Sequence, residues 1–165
     1  MESPETPIDC CCGACICGCC CICGSICGIS ICGSGGATPN TDTIDKFAYS
    51  SNTTASDHGN LSVARQGVAG QSSADYGFTS GGETSTAVNT IDKFAFSSNT
   101  TASDHGDLSV ARYAIAGQSS TDNGFTSGGN GSKTVIDKFS YSSNTTATDH
   151  GDLSQGRATA SGTQY

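Results

Sequence analysis

One string of residues returns three times in this chain, and that recurrence limits the fold more than any composition does. Ile44-Asp45-Lys46-Phe47 reappears as Ile91-Asp92-Lys93-Phe94 and as Ile136-Asp137-Lys138-Phe139, at spacings of 47 and 45 residues. Around each copy stands a longer shared string. It runs Ser-Gly-Gly, a variable turn, Ile-Asp-Lys-Phe, Ser-Asn-Thr-Thr, Asp-His-Gly, Leu-Ser and an Arg. A fixed period of this length marks one supersecondary unit that buries its apolar face against its neighbours. Gly, Ser and Thr abound, only 13% of residues are charged, and no apolar period of 3.6 residues runs beyond residue 40. Those residues are weak helix formers, so the expectation is an all-β chain of short strands and turns.

The unit from Arg65 to Ser109 predicts three to four antiparallel strands. Arg65–Ser72 reads as a strand of small residues, suited to a place where backbones approach closely. A turn at Ser73-Ala74-Asp75 leads to a short strand through Phe78-Thr79, which Gly81-Gly82 ends. Asn89–Phe96 is the clearest strand, with Asp92, Phe94 and Phe96 on one face. Ser97–Thr101 turns the chain. Asp104-His105-Gly106-Asp107 reads as a second tight loop, with Leu108 plugging the interior.

All eleven cysteines fall in one segment: Cys10, Cys11, Cys12, Cys15, Cys17, Cys19, Cys20, Cys21, Cys23, Cys27 and Cys32. Four readings stand open for it. Dense thiols can wrap a soft metal ion. The uncharged run from Cys10 could span a bilayer, but it is studded with Gly, and Glu2, Glu5 and Asp9 precede it where a signal peptide carries positive charge. Adjacent and odd-numbered cysteines can cross-link copies. Last, the segment can stand in for the start of the first repeat, its Ile residues at strand positions and its thiols as small hydrophobes. Aligning Gly33-Ser34-Gly35-Gly36 with Thr79-Ser80-Gly81-Gly82 makes Ser30-Ile31-Cys32 the counterpart of Gly77-Phe78. The chain thus divides into an acidic tail (1–9), a Cys-rich segment (10–32) and three repeats (33–77, 78–124, 125–165).

The repeats resemble the kelch repeat of β-propellers. The matching features are the Gly-Gly doublet, an aromatic 11 to 13 residues later, and a Leu-x-x-x-Arg stretch. These are Gly35-Gly36, Phe47, Leu61 and Arg65; Gly81-Gly82, Phe94, Leu108 and Arg112; and Gly128-Gly129, Phe139, Leu153 and Arg157. The outer Trp of kelch blades is missing throughout. The wording is also similar to kelch-like repeats in proteins of marine bacteriophages and related environmental sequences. That resemblance implies a virus-associated structural or binding protein, in a virion or extracellular fibre. Propellers close with about four to eight blades. Three repeats therefore imply an incomplete ring completed by another copy, an open array, or a piece of a longer chain. Open strand edges invite a further copy, so a homo-oligomer or filament is expected.

The motifs carry little chemistry. Asp57-His58, Asp104-His105 and Asp149-His150 could each be half of a catalytic relay, but a relay is built once and these occur once per repeat. They read instead as rim loops, and three His could hold a metal only if the loops converge. No nucleophile elbow, phosphate-binding loop or dinucleotide fingerprint is present. A net charge of −8, with seven Lys and Arg and no basic cluster, argues against nucleic acid and against anionic lipid. Asn52, Asn99 and Asn144 open Asn-Thr-Thr sequons, which accept glycans in a secreted eukaryotic protein and are plain turns otherwise. The expectation is a non-enzymatic, self-associating structural or binding protein with no cofactor. The alternatives are a metal-binding protein using the cysteines and a glycan-binding module.

Overall fold

The computed structural model describes residues 19–23, 27–32 and 40–163, and these form twelve strands and no helix. The strands make three four-stranded antiparallel sheets, none closed into a barrel. The first holds β1 (Cys19–Cys23), β2 (Cys27–Cys32), β3 (Thr43–Ala48) and β4 (Ser56–Asn60). The second holds β5 (Ala69–Ser72), β6 (Tyr76–Ser80), β7 (Thr90–Ala95) and β8 (Ser103–Asp107). The third holds β9 (Ala116–Ser119), β10 (Asn123–Ser127), β11 (Val135–Ser140) and β12 (Thr148–Asp152). Strands within each sheet follow chain order, and β1, β5 and β9 lie side by side along the inner edge. The all-β expectation of blade-like sheets in an open array holds.

Two expectations are corrected. Asp104–Asp107 is not a loop; with Ser103 it forms β8, and its counterparts form β4 and β12. The first repeat does contain a strand from the Cys-rich segment, but three residues earlier than the Gly-Gly alignment places it (Gly28 rather than Ile31 opposite Phe47). Gly28 pairs with Phe47 as Gly77 pairs with Phe94 and Gly124 with Phe139. The reason lies in the hairpin between second and third strands. Its last paired residues are Ile31 and Ile44, Ser80 and Ile91, and Ser127 and Ile136. The separations are 13, 11 and 9 residues (44−31, 91−80, 136−127). Each step is two residues, which leaves every side chain on its original face. The same step accounts for spacings of 47 and then 45. The run considered as a membrane span thus contributes the hairpin β1–β2, paired onto β3; no helix among the described residues is long and apolar enough to cross a membrane.

The core lies between sheets rather than within one. On β7, Asp92 and Phe94 face the first sheet while Ile91 faces the third, and all three are buried. Ile44, Leu61, Val68, Phe94 and Ala102 fill the first joint. Their counterparts Ile91, Leu108, Ile115, Phe139 and Ala147 fill the second, joined by Phe78 and Tyr141 stacked at 4.5 Å. Leu108 is interior, as expected. Burial of each such side chain contributes about 1.5–3 kcal/mol, which no single sheet could obtain alone.

The Phe of each Ile-Asp-Lys-Phe strand lies across a glycine on the neighbouring strand. A Cβ on Gly124 would overlap the Phe139 ring, and one on Gly77 the Phe94 ring. Gly124→Ala is therefore expected to cost about 1–3 kcal/mol. Phe139→Leu should recover part of that loss in the double variant. Additive costs in urea unfolding would contradict the pairing.

Burial pushes the Tyr141 hydroxyl from its ordinary value of 10 up to about 12, with the Ser119 side chain and the Ser72 backbone pulling the other way. Below pH 10 the phenol is protonated whether the chain is folded or not. Between pH 10 and 12 the unfolded chain releases the proton first, so stability falls as pH rises. The expected loss is about 2–3 kcal/mol by pH 12. Tyr141→Phe should remove this contribution, and an unchanged pH slope in that variant would contradict it.

Candidate functional site

The most specific polar chemistry on the molecule lies at the joints between sheets, and it starts with Asp-His-Gly. In each fourth strand a register shift sets His and Gly opposite a single Ile, or His opposite a gap, so the strand bulges. The Asp carboxylate accepts the Gly N–H two residues on, at 2.9 Å for Asp57, 3.0 Å for Asp104 and 2.9 Å for Asp149. Gly59, Gly106 and Gly151 take φ of 113°, 110° and 118°, a region that side chains oppose.

The bulge aims each His at the next sheet. His58 Nε2 is 2.9 Å from Ala95 O, and His105 Nε2 is 2.9 Å from Ser140 O. A carbonyl only accepts, so Nε2 carries the proton in both. The rings lie edge-on to Phe94 and Phe139 of the next sheet. Neither His is a rim group, since both are buried. Nor is either in a relay, because each Asp is committed to glycine and each His to a carbonyl. His58 and His105 enter successive joints and His150 stays exposed on the outer sheet, so the three imidazoles do not converge. No group of three or more His, Cys, Asp or Glu among the described residues is placed to hold a metal ion.

Beside each buried His stands a clasp that sequence reasoning missed. Arg65 Nη1 meets Asp92 Oδ2 at 3.0 Å, with side chains 1% and 0% exposed. Its other donors reach the carbonyls of Gly81 at 2.9 Å and Thr79 at 3.3 Å. Ser62 completes the carboxylate's shell, its N–H donating to Oδ2 at 2.9 Å and its hydroxyl to Oδ1 at 2.7 Å. The second joint repeats this. Arg112 Nη1 meets Asp137 Oδ2 at 2.9 Å, and Ser109 donates from N–H at 3.0 Å and from its hydroxyl at 2.6 Å. The signal was present in the sequence, as an Asp in every Ile-Asp-Lys-Phe and an Arg three residues after every Leu-Ser. What it lacked was the pairing across sheets.

The Asn-Thr-Thr loops close the joint from outside. Asn52, Asn99 and Asn144 are exposed. The loop itself, however, leans on the preceding sheet. Asn144 Nδ2 donates to Asp104 O at 3.2 Å, and a Cβ on Gly106 would lie 2.5 Å from Thr145 O. Gly59 meets Thr100 O in the same way.

The outermost copies differ. His150, Ser154 and Arg157 are exposed, Leu153 is half-buried, and a Cβ on Gly151 would meet nothing within 4 Å. Asp45 and Phe47 are half-buried, where Asp92, Asp137, Phe94 and Phe139 are buried. Of the cysteine candidates, Cys10, Cys11, Cys12, Cys15 and Cys17 lie outside the described residues. Cys19, Cys20, Cys21 and Cys23 lie on β1, and Cys27 and Cys32 on β2. Comparison with protein-family models and with curated proteins found no match.

The same aspartate thus stands in two environments, clasped at Asp92 and Asp137 and unclasped at Asp45, and its removal should have unequal consequences. Asp137→Ala strands a buried guanidinium and is expected to cost about 3–5 kcal/mol. Asp45→Ala, with no ion-pair partner among the described residues, should stay within about 0.5 kcal/mol. Urea unfolding of the monomer followed by tyrosine fluorescence measures both; equal costs would contradict the clasp.

Proposed function

We propose that this protein is a non-enzymatic structural or binding component that self-associates, built from kelch-like blades and suited to a virion or extracellular fibre. The observation that carries this reading is the state of the joints. Two are complete, and at each end of the array a matching half has no counterpart among the described residues. A repeat array that exposes half of its own interface is a building block. The repeated motifs support a structural role as well. At the two filled joints the Asp-His couples and the Arg residues spend their hydrogen bonds on strand geometry and on holding sheets together. The alternatives rest on the cysteines, for a metal ion, and on the exposed loops around Asn52, Asn99 and Asn144, for a glycan.

The test is native mass by light scattering across micromolar to high-micromolar concentration, with and without reductant. A mass above the monomer that persists in reductant is expected. A monomer under every condition would overturn the reading. Zinc or copper bound in stoichiometric amount after purification would favour the metal-binding alternative instead.

A further inference from the structure

The two open ends are complementary halves of one joint. On the outer side of the third sheet, the backbone of the donor half is already in place. Gly129 N–H donates to Arg157 O at 2.8 Å, as Gly82 N–H does to Arg112 O at 3.0 Å. Leu153 N–H donates to Thr134 O at 2.8 Å, as Leu108 N–H does to Asn89 O at 2.7 Å. Thr159 N–H bonds Ala114 O at 2.9 Å, as Ala114 N–H bonds Gly67 O at the same distance. Thr159 and Ala114 even share the positive φ of Gly67, at 53°, 55° and 66°. Ser154 and Arg157 therefore stand where Ser62 and Arg65, or Ser109 and Arg112, stand in the filled joints. No carboxylate among the described residues pairs with them. At the other end, Asp45 and Phe47 occupy the positions of Asp92 and Phe94 with no Arg, Ser or His from a preceding sheet among the described residues.

The geometry points to a head-to-tail joint between copies, in which His150, Leu153, Ser154 and Arg157 of one chain receive Asp45 and Phe47 of a second. This rests on the self-association proposed above and names its interface. Residue for residue it reproduces the contact already made twice inside the chain. A carboxylate meets a guanidinium and a serine, an imidazole meets a phenyl edge, and a leucine closes the apolar side. Because the donor half is held in its joint-forming conformation, little ordering is needed on contact. Such an interface is heterologous, and it closes into a ring or runs into a filament according to the rotation per copy. One strand position is contested. Gly162 packs against Gly117 O as Gly117 packs against Gly70 O, so residues 160–163 stand where β1 of the incoming copy belongs. That short tail, whose one cross-sheet backbone bond beyond Arg157 among the described residues is from Thr159, is the segment that yields.

The experiment is a charge exchange in reductant, read by light scattering and analytical ultracentrifugation. Asp45→Arg and Arg157→Asp are made singly and mixed. Both residues lie outside the filled joints, so circular dichroism and melting should match the parent. Each single variant is expected to self-associate at least tenfold more weakly, and an equimolar mixture should regain the parent's assembly with the two variants in 1:1 ratio. Ser154→Asp, at an exposed position, supplies a second variant and should weaken association similarly by facing Asp45 with a like charge. If the parent associates and none of these variants weakens it, the joint is wrong while self-association stands, and contacts elsewhere, such as the cysteines, hold the copies. If the parent is a monomer, both fall. Loss of association in the single variants without recovery on mixing would also overturn the head-to-tail pairing.

Discussion

A buried ion pair that spans two sheets sets the order of this molecule. Arg65 with Asp92, and Arg112 with Asp137, each place a full charge where almost no solvent reaches. Desolvating a carboxylate and a guanidinium costs several kcal/mol per ion, and their attraction offsets that only with good geometry and further hydrogen bonds. Here the further bonds exist. Ser62 and Ser109 donate twice to their carboxylates, and each guanidinium also donates to a carbonyl of the receiving sheet, Thr79 O for Arg65 and Thr126 O for Arg112. The consequence is directional. Arg and Ser arrive on the segment that leaves one sheet, and Asp waits on the third strand of the next, so a sheet can accept only the neighbour that carries the matching half.

The rest of the joint follows from that placement. A serine can reach Asp92 only if the fourth strand of the preceding sheet ends beside it, and the bulge at His58-Gly59 brings the strand there. The bulge needs a glycine at φ near 110°, and the same missing side chain lets the Asn-Thr-Thr loop of the next sheet close over it. The aspartate before the histidine is spent on stabilising the bulge. At the two filled joints a triplet that looks catalytic on paper is thereby a structural device, its Asp spent on the bulge and its His on a carbonyl of the neighbouring sheet.

Much of this was legible beforehand, and the reasons differ by element. The recurrence of Ile-Asp-Lys-Phe identified the third strands directly, because alternation of buried and exposed residues has a period that can be read off. The small-residue strands at Ala69 and Ala116 were legible from glycine and alanine, which backbones need when they approach closely. The fourth strands were not, since Ser-Asp-His-Gly-Asp has the composition of a turn and its strand pairing is imposed by a bulged partner. The first sheet was half legible. Its strand from the Cys-rich segment was expected, but the Gly-Gly alignment misplaced it by three residues, because the hairpin after it differs in length between repeats and the Gly-Gly doublet does not keep a fixed distance from the strand.

By itself the sequence determined the β class, the number of units, and which residues recur at which spacing. Those depend on local backbone preference and on periodicity, and both are properties of neighbouring residues along the chain. Only the tertiary structure decided what the recurring residues do. Asp92 and Arg65 are 27 positions apart, and nothing local distinguishes a clasped aspartate from a solvated one. Asp45 and Asp92 sit in identical tetrapeptides, yet one is half-buried without an arginine and the other is sealed against one. The difference is whether another sheet lies alongside, and that is a fact of packing.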